Sequence, residues 1–140
     1  MERKATAVWQ GGLKDGKGHI STESGVLKQT QYSFCTRFEN DVGTNPEELL
    51  AAAHAGCFAM ALSNELGKAG MVPNKLEAVT TITLEQGSNG FSITKSHIDL
   101  VADIPGAAND KFQAVVKIAE TGCPVSKLFK AEISVSAKLK

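Results

Sequence analysis

One stretch limits what this chain can fold into more than any other: Thr44 to Leu62, reading TNPEELLAAAHAGCFAMAL. Asn45 is placed to cap free backbone amides, and Pro46 suits a first helical position. Glu47 and Glu48 follow at the positive end of the helix dipole, and Asn45 with Glu48 has capping-box spacing. Leucines and alanines then favour the helix, with Gly67 and Gly70 as places to stop. From Pro46 to Gly67 such a helix runs about 30 Å. Between Leu49 and Leu62 the only polar side chains are His54 and Cys57. A helix apolar nearly all round must be covered on most sides. The apolar run falls short of the ~20 residues that a membrane span needs.

The rest of the chain must supply that cover. Residues 4–10 and 18–23 read as strands around a Lys14-Asp15-Gly16 turn, and Ser24-Gly25 turns the chain into a third strand, 27–34, with Tyr32 and Phe34 on one face. Cys35 to Phe38 ends this antiparallel meander. After the helix, 75–86 alternates Leu76, Ala78, Thr80, Ile82 and Leu84 with more polar positions, and so predicts a strand with one buried face. A tight connection, Gly87 to Gly90, leads to a strand over 91–104. Its apolar positions switch from odd (Phe91, Ile93) to even (Ile98, Leu100, Ala102, Ile104), which a pleat permits only at a bulge, expected near Lys95–His97. Pro105-Gly106 turns into an amphipathic helix capped by Asn109, with Phe112, Val115, Val116 and Ala119 inward. Gly122 ends it, Cys123-Pro124 opens one more helical turn, and Ile133 to Leu139 is a last strand. The order β-β-β-α-β-β-α-β defines an α+β domain. Six modest strands in 140 residues cannot wrap the central helix on every side, which predicts an obligate homodimer.

That length implies one domain, residues 1–140. Lys+Arg and Asp+Glu balance at 15 each, without the clustered positive charge of a nucleic-acid groove or a basic membrane surface. Met1-Glu-Arg-Lys leads into no apolar signal region, so a cytoplasmic protein is expected. Three scattered cysteines, Cys35, Cys57 and Cys123, make neither a zinc site nor a disulfide scaffold, and leave a transient catalytic disulfide open.

The chemistry-bearing residues each have a plain reading beside a functional one. A buried cysteine such as Cys57 is ordinarily a small hydrophobe. Cys123, just before Pro124, stands at a helix N-terminus, where a thiolate is favoured. Arg37 is either a surface residue or a guanidinium able to hold a thiolate and hydrogen-bond a bound oxygen. Glu47 could orient it through a bidentate pair. Glu47 and Cys57 are ten residues apart, about 15 Å along one helix, so they cannot touch within it. One site using both needs Arg37 to bridge part of the gap, or a second helix running antiparallel. His54, three residues before Cys57, reads as a half-buried packing residue rather than a nucleophile's partner. His19 and His97 read as solvent-facing, and Cys35 as a core or edge residue.

Residues 43–62 and Gly122-Cys-Pro-Val-Ser126 together resemble the osmotically inducible protein C (OsmC) and organic hydroperoxide resistance family. The opening through Ser21–Leu27, the segment Thr36–Glu39 and the closing Lys130–Ile133 resemble its OsmC branch, so the likeness spans the chain. It implies an intertwined homodimer and a thiol peroxidase that reduces organic hydroperoxides, and hydrogen peroxide more weakly, in oxidative or osmotic stress. Carried over by motif, Cys57 is the peroxidatic cysteine, Cys123 the resolving one, and Arg37 and Glu47 the activating pair. Cys35 matches no motif. A sulfenic acid on Cys57 would condense with Cys123 to a disulfide, which an external dithiol, lipoyl-type or a lipoylated protein, would reduce. No metal, haem or flavin is implied, and no nucleic-acid or membrane partner. Apolar walls around Phe58 and Met60 would favour organic substrates. The competing readings are a non-enzymatic binder of a hydrophobic molecule, which would tolerate loss of Cys57, and a redox sensor, which would oxidise but turn over poorly.

Overall fold

The computed structural model describes residues 1–140. The chain forms two compact units, Met1–Leu49 and Leu50–Lys140. The expected α+β order holds, with the helical turn expected after Cys123 present and one unexpected short helix added, at Phe34–Phe38.

In the first unit, β1 (Ala5–Gln10), β2 (Lys17–Thr22) and β3 (Thr30–Ser33) form an antiparallel meander in sequence order. Gly25 makes the β2–β3 turn, with φ +75° and its amide on the Thr22 carbonyl at 2.9 Å. The third strand is shorter than the alternation suggested. Phe34 leaves the strand and opens a helix, α1 (Phe34–Phe38), where the end of the meander was expected. The cause is a reciprocal cap. Ser33 Oγ accepts from the Thr36 amide at 3.1 Å, and Thr36 Oγ1 accepts from the Ser33 amide at 2.8 Å.

The helix α2 (Pro46–Lys68) begins as the sequence requires. Asn45 Oδ1 accepts from the Glu48 amide at 2.8 Å, and Asn45 Nδ2 donates to the Thr36 carbonyl at 3.1 Å. The Glu48 carboxylate does not complete a box but accepts from Thr44 Oγ1 at 3.1 Å. The helix passes through Gly67 and stops at Gly70, whose φ of +75° lets the Met71 amide return to the Leu66 carbonyl at 2.9 Å. At 23 residues, α2 is long and apolar enough to cross a membrane by length and composition, unlike the shorter run read from the sequence. In the fold it buries one stripe at four-residue spacing: His54, Phe58, Leu62 and Leu66. The expected burial on most sides is not achieved within one chain; Met60, for instance, is 77% exposed.

That stripe joins the core of the second unit. The strands β4 (Lys75–Gly87), β5 (Gly90–Asp103) and β6 (Glu132–Leu139) form a sheet with β5 central. The β4–β5 pairing is an antiparallel hairpin, whereas β6 runs parallel to β5. A parallel neighbour requires a crossover, and α3 (Asn109–Gly122) with α4 (Pro124–Leu128) provides it. The anticipated bulge is present: Thr83 pairs with Lys95 and Leu84 with Ile93, leaving Thr94 as the extra residue, one position earlier than expected. Beyond it Ser96, Ile98, Leu100 and Ala102 all face inward. From α3, Phe112, Val115, Val116 and Ala119 complete the core as the periodicity predicts. Asn109 is not the cap of α3. It is the first helical residue, after Ala108, and its side-chain oxygen accepts instead from Gln113.

Candidate active site

The structure brings the four residues singled out from the sequence together as two pairs, one in each unit. In the first unit, α1 presents Arg37 beside the first turn of α2. Its Nη2 lies 2.7 Å from Glu47 Oε1, and its Nε lies 3.2 Å from each carboxylate oxygen. This fork-on-carboxylate geometry fixes the guanidinium plane and carries more order than an ordinary surface ion pair. Asn45 holds the two elements in register, because one side chain caps α2 and also grips the Thr36 carbonyl of α1. Arg37 also lies over the Phe38 ring, 5.3 Å from its centroid.

Arg37 stands in the wall of a hollow of about 290 Å3, lined by Trp9, Leu13, Tyr32, Phe34, Phe38 and Pro46 among others. Trp9 and Tyr32 pack at 5.4 Å between ring centroids, and Phe34 and Phe38 at 4.8 Å. Sequence reasoning missed these aromatic residues as site candidates. They are dispersed over β1, β3 and α1, and only the β-meander and its capped helix gather them. The walls expected from Phe58 and Met60 are not of this kind. Phe58 is fully buried in the core, where the i, i+4 stripe of α2 turns it, and Met60 points outward.

In the second unit, Cys57 on α2 meets Cys123 at the start of α4. Both are free thiols, and their sulfurs are 2.7 Å apart, with Cys123 donating. Cys123 occupies the N-cap position that the sequence assigned to it, but its side chain makes no cap bond because it turns to Cys57 instead. Pro124 takes the first helical position, and the Val125 amide behind it donates to Cys57. Burial pushes the Cys57 thiol above its ordinary 9.0, the bond with Cys123 adds to this, and the Val125 amide opposes it. Cys123 is completely buried and Cys57 half-buried, so Cys57 is the one open to an incoming molecule. The pair can therefore react first at Cys57 and then close internally, since a disulfide of about 2.05 Å is within short reach.

His54 departs most from expectation. It is fully buried rather than half-buried, with Nδ1 2.6 Å from Ser96 Oγ and Nε2 2.8 Å from Ser126 Oγ. Burial lowers its pKa below 6.5, which keeps the imidazole neutral near pH 7. His97, expected to face solvent, is only part-exposed, and its Nδ1 lies 2.6 Å from Ser134 Oγ. Cys35 is half-buried in α1; a hydrogen bond with Glu39 is the main reason its thiol is held above the usual value.

A family model described as OsmC-like protein matches residues 38–138, a span that holds Glu47, Cys57 and Cys123 and begins one residue after Arg37. The chain is 46% identical over 140 residues to a protein named peroxiredoxin OsmC from Escherichia coli (strain K12), covering all of this chain and 98% of that one. It is 30% identical over 124 residues to the organic hydroperoxide resistance protein OhrB of Bacillus subtilis (strain 168), covering 88% and 89% of the two chains. The crystal structure of the B. subtilis OhrB superposes with a TM-score of 0.69 at 27% identity, covering 98% of each chain.

Proposed function

The chain belongs to the OsmC-like protein family, and from that premise we propose that it is a thiol-dependent peroxidase working through Cys57 and Cys123. The observation that carries the reading is that these two free thiols, 66 residues apart in sequence, meet in the core with one of them open to an incoming molecule. The Cys57 thiolate attacks one oxygen of the O–O bond. The bond breaks, the other oxygen leaves as an alkoxide that takes up a proton, and Cys57 becomes a sulfenic acid. The Cys123 sulfur then attacks the Cys57 sulfur. An S–S bond forms, the S–O bond breaks, and hydroxide departs with the Cys123 proton as water. An external dithiol returns the disulfide to two thiols, itself becoming a disulfide.

The first step needs an anion that burial opposes. Arg37, held in plane by Glu47, is assigned to stabilise the Cys57 thiolate and the departing alkoxide within a homodimer. The aromatic hollow beside Arg37 supports organic hydroperoxides as the preferred substrates over hydrogen peroxide, since it would take an apolar tail and leave the charged edge for oxygen. The three unpaired cysteines fit a reducing, cytoplasmic setting. Residues 1–140 act as one functional domain on this reading.

The test is consumption of cumene hydroperoxide by the reduced protein with a dithiol such as dihydrolipoamide. The wild type turns over, Cys57→Ser does not, and Cys123→Ser consumes one equivalent in forming sulfenic acid and a second in passing to sulfinic acid, then stops. Equal inactivity of all three would end the peroxidase reading and favour a hydrophobic-ligand binder.

A further inference from the structure

Three polar side chains meet inside an otherwise apolar core, each from a different element. On α2 the buried stripe runs His54, Phe58, Leu62, Leu66; on β5 it runs Ser96, Ile98, Leu100, Ala102. Both stripes place a polar residue at one end where an aliphatic one would bury without cost, and these two residues are hydrogen-bonded at 2.6 Å. The third, Ser126, belongs to α4. Buried polar groups destabilise a core unless each is paired. Here the pairing is complete: a neutral imidazole has one donor and one acceptor nitrogen, and each serine hydroxyl can take the complementary role.

What this node holds is the helix that carries Cys123. The helix α4 is only five residues long, Ser126 is its one buried residue, and Leu128 is 74% exposed. Its apolar packing comes from Val125, part-buried against the core, and from the buried Cys123 at its N-cap. The bond from His54 to Ser126 is its buried anchor, and Phe129, its C-cap, packs edge-on against the same imidazole at 5.2 Å. His54 lies three residues before Cys57 on α2, and Ser126 three after Cys123. One hydrogen bond thus ties together the two elements that present the two sulfurs.

We propose that His54 is a positioning residue for the resolving step: through Ser126 it holds α4 so that the Cys123 sulfur stays within reach of Cys57 when the sulfenic acid forms. The inference rests on the peroxidase reading for its consequence in turnover, but the positioning itself does not depend on peroxide. The competition it governs is chemical. A sulfenic acid that is not captured by Cys123 is oxidised by a second hydroperoxide to sulfinic acid, which a dithiol does not reverse.

Two replacements separate the two bonds. The amide nitrogen of glutamine reaches the place of Nε2, and that of asparagine the place of Nδ1. His54→Gln therefore keeps the link to Ser126, while His54→Asn keeps only that to Ser96; Ser126→Ala removes one hydroxyl and little else. Reduced protein is mixed with a few equivalents of cumene hydroperoxide, enough for a second oxidation of uncaptured sulfenic acid, quenched over time, and its Cys57 sulfenic, disulfide and sulfinic forms are counted by mass spectrometry after dimedone trapping. In His54→Asn and Ser126→Ala, sulfenic acid formation should change far less than closure, falling only as far as displacement of α4 loosens the Val125 amide on Cys57. Disulfide closure should slow on the order of ten- to a hundredfold, the scale of a ~1 Å misplacement, with sulfinic acid accumulating. His54→Gln should close near the wild-type rate. The same series oxidised with diamide reads closure without any peroxide step and should give the same order. Closure at the wild-type rate in all variants, or slowing that follows lost thermal stability whichever bond is removed, overturns the positioning role. Wild type that closes with diamide but forms no sulfenic acid with hydroperoxide overturns the peroxidase reading alone.

Discussion

Cys57 sits in a place that makes ionisation harder, and the identity of the group that offsets this is measurable. Burial and Cys123 both raise its pKa, and among the groups acting on it the Val125 amide is the one that lowers it. If Arg37 supplies the missing positive charge, Arg37→Met should shift the pH dependence of Cys57 alkylation upward and reduce turnover at pH 7 on the order of a hundredfold. Iodoacetamide labelling followed residue by residue checks the first, and steady-state rates the second; an unchanged profile removes Arg37 from the mechanism. His54 gives a prediction of opposite sign. Its folded-state pKa is depressed below the unfolded value near 6.5. The unfolded chain takes up a proton there that the folded chain refuses, so stability is full above pH 6.5 and falls as pH drops below it. The groups bonded to the ring are hydroxyls, which do not titrate in that range. Urea midpoints from pH 7.5 to 5 should decline, and His54→Gln should flatten the decline. The motifs made Arg37, Glu47, Cys57 and Cys123 legible as candidates from sequence. His54's partners were not legible, because Ser96 and Ser126 lie 42 and 72 residues away and a lone serine carries no periodic signal.

At the scale of elements, local rules explain most of what could be read. The phase change in β5 revealed a bulge to within one residue, since a pleat has no other way to exchange its faces. The helix α1 escaped notice because Tyr32 and Phe34 alternate like strand residues, and a Ser33–Thr36 cap lacks the acidic third position that flags most boxes. The parallel placement of β6 was equally hidden, being set by a crossover rather than by anything in its own residues. Asn45 is the joint whose value can be tested at this scale. It caps α2 and holds α1 at once, so Asn45→Ala should cost about 1–2 kcal/mol in urea unfolding. Because α1 carries Arg37, activity should fall by more than the lost stability accounts for. A stable but fully active variant would show that the Arg37–Glu47 fork holds itself.

For the whole molecule, the uncovered faces of α2 make the strongest demand. A 23-residue helix this apolar, with one stripe buried in its own chain, is what an intertwined second copy would cover. Sedimentation at micromolar concentration should give a dimer, and Met60→Asp, which charges an exposed apolar position, should shift it toward monomer. The sequence could suggest this only by shortage, as a helix with too few strands to wrap it; which surfaces meet depends on contacts that no single chain's pattern encodes.

The span of chain between the two sulfurs has a consequence of a different kind. A bond between Cys57 and Cys123 ties together positions 66 residues apart. On the chain-entropy view, closing so long a loop takes about 4 kcal/mol of freedom from the unfolded state. Oxidised protein should then resist urea, heat and proteases well beyond its reduced form. On the two-cysteine reading, the form that would wait for a reductant is then the durable one. A cell short of dithiol would accumulate long-lived, idle molecules, whereas a well-supplied cell would keep its stock active and perishable.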